Sequence, residues 1–366
     1  MNFKRTGSIV AIAAVGTMLL ASCASNEGGA TPSGGASSSD VSGSIKGVGA
    51  SSQQAAQEAW VAAFQTANPD ANIGYEPSGS GSGRESFISG AADFAGSDRA
   101  FKTDEISSST FAGCTPDTGI VELPAYVSPI AVVFNLDGVD ELNLTPATLA
   151  GIFSGKITTW DASEIKADNP DADLPSTGIT AVHRSDDSGT TENFTDYLHA
   201  TAGDTWTEEA DGTWPTAFGG EGASGTTGVI DAVTNGTGTI GYADASRAGD
   251  LGTVKVKVGD DFVGYSAEAA AAIVDESPEE EGRTEGDIAI ALDRTSTASG
   301  VYPIVLVSYL VACESYEDAA KGELVKAYLS YVTSEEGQKA AADAAGSAPI
   351  SSTLSGQVAD AIALIK

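Results

Sequence analysis

Three segments of this chain put serine, threonine and glycine directly ahead of a predicted helix. Gly47-Val-Gly-Ala-Ser51-Ser52 precedes a helix expected over Gln53–Ala67. Ser78-Gly-Ser80-Gly-Ser82-Gly83 leads into a short one expected over Ser82–Ser89. Arg184-Ser-Asp186-Asp187-Ser188-Gly189-Thr190 precedes one expected over Thr191–His199. A helix start presents unpaired N–H groups and a partial positive charge. Glycine admits a ligand close to the backbone, and a hydroxyl adds a donor. The chemistry this supports is anion binding without a net positive surface. Any one such segment is what an ordinary N-cap looks like. Together they point to a shared anion, because Arg184, four residues ahead of Ser-Gly-Thr, adds a permanent two-pronged charge.

Other chemistries fail on the same inspection. Gly151-Ile-Phe-Ser-Gly-Lys156-Ile157 is one residue short of a P-loop and lacks the hydroxyl that would hold magnesium. No serine has glycine at both −2 and +2, so there is no nucleophile elbow. His183 and His199 read as structural residues, and no metal site or cofactor is expected.

The elements that must position these segments alternate between strand and helix. Strands are expected at Ser44–Gly49, Asn72–Tyr75, Phe94–Asp98, Ile130–Asn135, Thr180–His183, Thr239–Tyr242 and Tyr302–Ala312. Further helices are expected at Thr145–Phe153, with Thr145 as cap and Pro146 in the first turn, and at Glu317–Val332 and Glu335–Ala344. That order implies an α/β protein with largely parallel sheets. No internal repeat is evident. Asp275–Asp287, with seven acids and one arginine, reads as a solvated surface segment.

The 366 residues exceed what one core usually organises, so two lobes are expected. The 51 acidic side chains against 18 Lys plus Arg leave a formal charge of −33. That balance argues against nucleic acid as a partner and against docking on anionic lipid through a basic patch.

The N-terminus sets the compartment. Lys4 and Arg5 precede an apolar run, Ile9–Leu20, which is short for a membrane span and suits a signal peptide. Leu20-Ala-Ser-Cys23 is similar to the lipobox of bacterial lipoproteins, in which the cysteine is lipidated. The alternative is an ordinary signal peptide with an incidental Cys23. Residues 24–44 are mostly Ser, Gly, Ala, Thr and Pro, the composition of a flexible tether. The remaining cysteines, Cys114 and Cys313, form either a disulfide, as an even pair in an exported protein suggests, or two separate buried thiols.

Taken in order, the motifs resemble the PstS family, the phosphate-binding lipoproteins of the bacterial phosphate ABC transporter. The pieces are Gly47-Val-Gly-Ala-Ser-Ser52, Gly79-Ser-Gly-Ser-Gly83, Asp93-Phe-Ala-Gly-Ser-Asp98, Leu144-Thr-Pro, Ile152 to Asp161, His183 to Thr190, Gly238-Thr-Ile-Gly-Tyr242 and Tyr302-Pro-Ile304. They span the body from about Ser44 to the C-terminus.

The resemblance implies a two-lobed periplasmic-binding-protein-like (type II) α/β fold with two crossover strands forming a hinge, near Pro124–Ser128 and Gly300–Ile304. Residues 1–22 would be the signal peptide and 23–44 the lipidated Cys23 and tether. Residues 45–125 plus 302–366 would form lobe I, and 126–301 lobe II. Phosphate would be held by Ser51, the N–H of Ser52, Ser80, Asp98 as acceptor of the phosphate proton, and Arg184, Ser188, the N–H of Gly189 and Thr190. Asp186 would orient Arg184. Two departures from the family pattern are Asp187, where glycine is frequent, and Ser52, where an aromatic is. Arg84 is expected to pair with Glu85 on the surface, with a second phosphate contact as the alternative.

The implied function is extracytoplasmic binding of inorganic phosphate and its delivery to the membrane permease, by a lipid-anchored monomer that is not an enzyme. The alternatives are an extracytoplasmic phosphatase and a binder of another tetrahedral oxyanion such as sulfate or molybdate.

Overall fold

The computed structural model describes residues 41–366. Cys23, the signal peptide and all of the tether before residue 41 lie outside the described residues. Among those described, no helix is long and apolar enough to cross a membrane.

The chain opens with β1 (Gly43–Gly49), α1 (Gln54–Ala67), β2 (Ala71–Glu76), α2 (Ser80–Ile88), β3 (Phe94–Ser97), α3 (Thr103–Ser108) and the long β4 (Ile120–Asn135). There follow β5 (Glu141–Leu144), α4 (Pro146–Phe153), α5 (Ser163–Asp168), β6 (Thr180–Arg184), α6 (Gly189–Ala202), β7 (Glu221–Ala223), α7 (Gly225–Asn235) and β8 (Thr239–Asp244). The last part holds β9 (Gly252–Val258), β10 (Asp261–Val263), α8 (Ala267–Glu276), β11 (Val305–Cys313), α9 (Ala319–Val332), α10 (Glu335–Ala345) and α11 (Ser352–Ala363).

Hydrogen bonding orders the strands β2-β1-β3-β11-β4-β8-β6-β7, with β9 on β4 and with β5 and β10 on β9. The expected parallel pairing holds toward both ends, where β1 joins β2 and β3, and β6 joins β7 and β8. It does not hold at the centre. There β11 runs antiparallel to β3 and β4, and β4 runs antiparallel to β8 and β9. There β4 also serves two neighbours in turn. Residues 120–129 pair with β11 and residues 130–135 with β8.

Only Ile130–Asn135 of this strand is legible as an apolar run, because Pro124 and Pro129 interrupt the first half. The chain absorbs Pro124 by a register shift opposite Ser308/Tyr309. All of β11 and nearly all of β4 are buried, as strands covered on both faces must be.

Two further expectations are corrected. The Asp275–Asp287 segment is not wholly solvated. Its Arg283 donates to Phe101 O at 2.6 Å and to Asp287 at 3.1 Å, and Asp287 lies buried beside Glu122. Burial and then the Asp287 charge push the Glu122 carboxyl well above its ordinary value. The apolar run expected to begin a strand at Tyr302 enters the sheet only at Val305. A disulfide joins Cys114 to Cys313, whose Cα atoms are 5.3 Å apart, tying the segment before β4 to the end of β11.

Candidate functional site

The expected residues meet in one buried place. β1 ends at Gly49, where a Cβ would strike the Gly96 carbonyl oxygen at 1.9 Å, so the chain can pass only as glycine. Ser51 and Ser52 follow at the turn into α1. Ser80 opens α2, and Asp98 follows β3. Arg184 ends β6, and Ser188 caps α6, which begins at Gly189. A Cβ on Gly189 would meet the Asp98 Cβ at 2.6 Å and Ser80 Oγ at 2.8 Å. The first turn of α6 therefore sits directly against the Ser80–Asp98 side.

The hydroxyls fall into two groups by what they do. In the first, oxygens accept from backbone N–H groups. Ser80 Oγ accepts from Asp98 N at 3.1 Å, Ser188 Oγ from Thr191 N at 3.2 Å, and Ser51 Oγ from Thr226 N at 3.1 Å. Ser51 also shares a hydrogen with Thr226 Oγ1 at 3.0 Å. An accepting hydroxyl keeps its hydrogen for another partner. In the second group, hydroxyls donate to Asp98. Ser52 and Ser308 reach Oδ1 at 2.6 and 2.7 Å, and Thr190 reaches Oδ2 at 2.9 Å. A carboxylate offers about four lone-pair directions. Three are taken, and one on Oδ2 remains.

Arg184 is held differently. Its Nε donates to Asp186 Oδ1 at 2.8 Å and its Nη2 to Oδ2, a bidentate fork. Asp186 also accepts from Gly225 N at 3.0 Å. Burial pushes the Asp186 carboxyl up, but the Arg184 hydrogen bond and charge outweigh it and hold the group below its ordinary value. The donor set is thus one anchored guanidinium, hydroxyls whose oxygens accept from the backbone, and the N-termini of α1, α2 and α6. Facing it is one carboxylate with a free lone pair. It suits a small, compact oxyanion that carries a proton.

Arg84 departs from expectation. It does not lie on the surface beside Glu85. It is buried, donating to Ser97 Oγ at 3.0 Å and facing Asp187 Oδ1 at 3.5 Å. Burial and then the neighbouring Arg99 charge push it below its ordinary value.

Thr226, Ser308 and Asn193 belong to the site and are not singled out by the sequence reading. Ser224-Gly225-Thr226, opening α7, repeats the Ser-Gly-Thr pattern of residues 188–190, and that repetition was the available signal. Nothing local marks Ser308, which sits inside an apolar strand. Asn193 donates to the Asp98 carbonyl at 2.7 Å from inside α6.

Residues 34–336 match the model of the PBP superfamily domain. The chain is 33% identical over 345 residues to the phosphate-binding protein PstS3 of Mycobacterium bovis strain BCG, covering 90% of both chains. It is 32% identical over 386 residues to the phosphate-binding protein PstS 2 of Mycobacterium tuberculosis, covering 99% of both. Among solved structures, a high affinity periplasmic phosphate-binding protein (PfluDING) bound with phosphate superposes with a TM-score of 0.68. It is 23% identical over 86% of this chain and 92% of that one. A phosphate-binding protein from Stenotrophomonas maltophilia gives a TM-score of 0.64 at 22% identity, over 87% and 94%. These structural likenesses establish a shared two-lobed fold with a curled mixed sheet.

Proposed function

The chain belongs to the PstS family of phosphate-binding proteins, and from that premise we propose that it captures inorganic phosphate outside the cytoplasm and delivers it to a phosphate ABC transporter. The observation that carries the reading is the Asp98 carboxylate, held by three hydroxyl donors with acceptor capacity left on Oδ2. In this reading Ser51, Ser80, Ser188 and Arg184 donate to the phosphate oxygens, together with the N–H groups of Ser52, Gly189 and Thr190. Asp98 accepts the proton that phosphate retains at neutral pH. Sulfate has no such proton, so it would face a buried acceptor with nothing to give it, and unmatched buried polar groups discriminate strongly. Net charge does not oppose this, because distant surface acids are screened beyond about 10 Å while the donors lie in contact.

The lobes are 45–125 plus 302–366, and 126–301, with crossings near Pro124–Ser128 and Gly300–Ile304. The change of partner along β4 after Pro129 and the start of β11 at Val305 support this division. Ligand residues then come from both lobes, and binding closes the hinge. Cys23 carries the lipid that holds the monomer beside its permease. Calorimetric titration of the purified protein with phosphate and then sulfate tests the reading. Strong binding of phosphate and far weaker binding of sulfate, read by competition, is expected, and equal binding of both would exclude the role given to Asp98. Small-angle scattering should show a smaller radius of gyration with phosphate. Cys23→Ala should move the protein from the membrane fraction to the soluble one.

A further inference from the structure

Beside the oxyanion site, Arg84 and Arg99 face Asp187 and Glu192, with Lys102 a further 3.8 Å contact of Glu192, in a pattern the ligand does not require. Arg84, on α2, lies 3.5 Å from Asp187, in the loop ahead of α6. Arg99, just after β3, has its Nε 2.8 Å from Glu192 Oε2, in the first turn of α6. That N–H is not aimed at the oxygen, so the contact is a charge pair and not a hydrogen bond. Both cations stand on the Ser80–Asp98 side and both anions on the Arg184–α6 side. The backbone joins in, with Gly81 N donating to Asp187 O at 3.2 Å. A Cβ on Gly81 would come within 2.3 Å of the Asp187 carboxyl carbon, so glycine there lets the two sides approach this closely.

We propose that Arg84–Asp187 and Arg99–Glu192 form an ionic clasp across the cleft that holds the closed state and sets the rate of phosphate release. The proposal rests on the two-lobed, phosphate-binding reading above. Ion pairs that serve only to stabilise a lobe join residues of that lobe, as Arg99 also does with Glu105 at 2.5 Å. A clasp whose like charges are sorted onto opposite sides forms only on closure, so its free energy enters the open–closed equilibrium. It acts after encounter and therefore on dissociation more than on association. The Arg99–Glu192 pair is about 85% buried on each side, whereas Asp187 is half exposed. The Glu192 arm should therefore dominate. A cavity of about 530 Å³ that borders Asp98, Arg99 and Glu192 lets solvent ions reach the pair, so salt should loosen it.

Asp187→Asn and Glu192→Gln remove the anions without removing volume. Arg99 keeps its ion pair with Glu105, and Arg84 keeps its hydrogen bond to Ser97 Oγ. Stopped-flow measurement on the full protein should show phosphate dissociation about 3-fold faster in Asp187→Asn and about 10-fold faster in Glu192→Gln, with association changed less than about 2-fold. Raising salt from about 0.05 to about 0.5 M should speed release from the wild type more than from the double variant. The exchanged pair Arg84→Asp with Asp187→Arg should release more slowly than either single change. Dissociation and salt dependence unchanged in the double variant, with wild-type phosphate binding intact, would overturn the clasp alone. A wild type that binds no phosphate would overturn the functional reading and the clasp with it.

Discussion

Asp98 and Arg184 stand on opposite sides of the site, and each is only 2% exposed. Their charges are nevertheless held in contrasting ways. Arg184 forms a bidentate pair with Asp186, so its charge arrives already balanced and its geometry locked. Asp98 receives only hydroxyl donors, from Ser52, Ser308 and Thr190. An anchored guanidinium can grip any oxyanion. A carboxylate fixed by neutral donors keeps a directed acceptor, and only a ligand with a proton can satisfy it. The contrast separates holding from choosing, with the first assigned to the Arg184 side and the second to Asp98.

The strongest way to break that division is Arg184→Met. It removes the grip and leaves the half-buried Asp186 without its cation, so phosphate affinity by calorimetry should fall about 100-fold or more. Sulfate, read by competition, should weaken in proportion. A loss confined to phosphate would place selectivity on the wrong side.

Asp98→Asn should cost phosphate about 10-fold, since the amide can still turn its oxygen to the ligand proton. The amide can also turn its NH₂ toward sulfate. The phosphate-to-sulfate ratio in competition titrations should therefore collapse by more than the phosphate affinity does. A ratio that holds would reduce Asp98 to a loop-stabilising residue.

Asp186→Asn tests the balancing of Arg184 through pH. The native Asp186 carboxyl is held below its ordinary value, so the stability it contributes is fully present above about pH 4 and is lost as pH falls through the depressed value. The variant should melt about 2–4 °C below the wild type at pH 7. That gap should close progressively in acid. A constant gap would mean that Asp186 serves as a loop residue whose charge is irrelevant.

The mildest change contrasts two hydroxyls. Ser80→Ala removes a hydroxyl assigned to the shared grip and should weaken phosphate and sulfate alike by about 1 kcal/mol. Ser308→Ala removes a donor that orients Asp98. It should alter the selectivity ratio and leave the shared grip intact. Identical profiles for the two variants would erase the distinction between the hydroxyl groups.

Much of the site is legible because its signals are short-range. Ser188-Gly-Thr190 caps and opens α6 within three residues, and Thr145-Pro146 does the same for α4. Such patterns obey local backbone chemistry wherever they stand. Legibility ended where a residue's local setting pointed elsewhere. Arg84 next to Glu85 looks like a surface pair, yet α2 turns it inward onto Ser97. Arg283 in an acidic run looks solvated, yet it is drawn onto Asp287 and Phe101.

The sequence by itself determined which segments cap helices, which runs form most of the strands, the short edge strand β7 excepted, and which residue types could grip an anion. All of these depend on neighbours within a few residues. Tertiary structure alone decided which donors meet which acceptors. Ser308 reaches Asp98 across 210 residues, Thr226 reaches Ser51 across 175, and Arg84 reaches Asp187 across 103. It also set the central strands antiparallel and gave β4 two successive partners. A buried charge or hydroxyl takes its role from whatever desolvated group lies within about 3 Å, and chain separation carries no information about that distance.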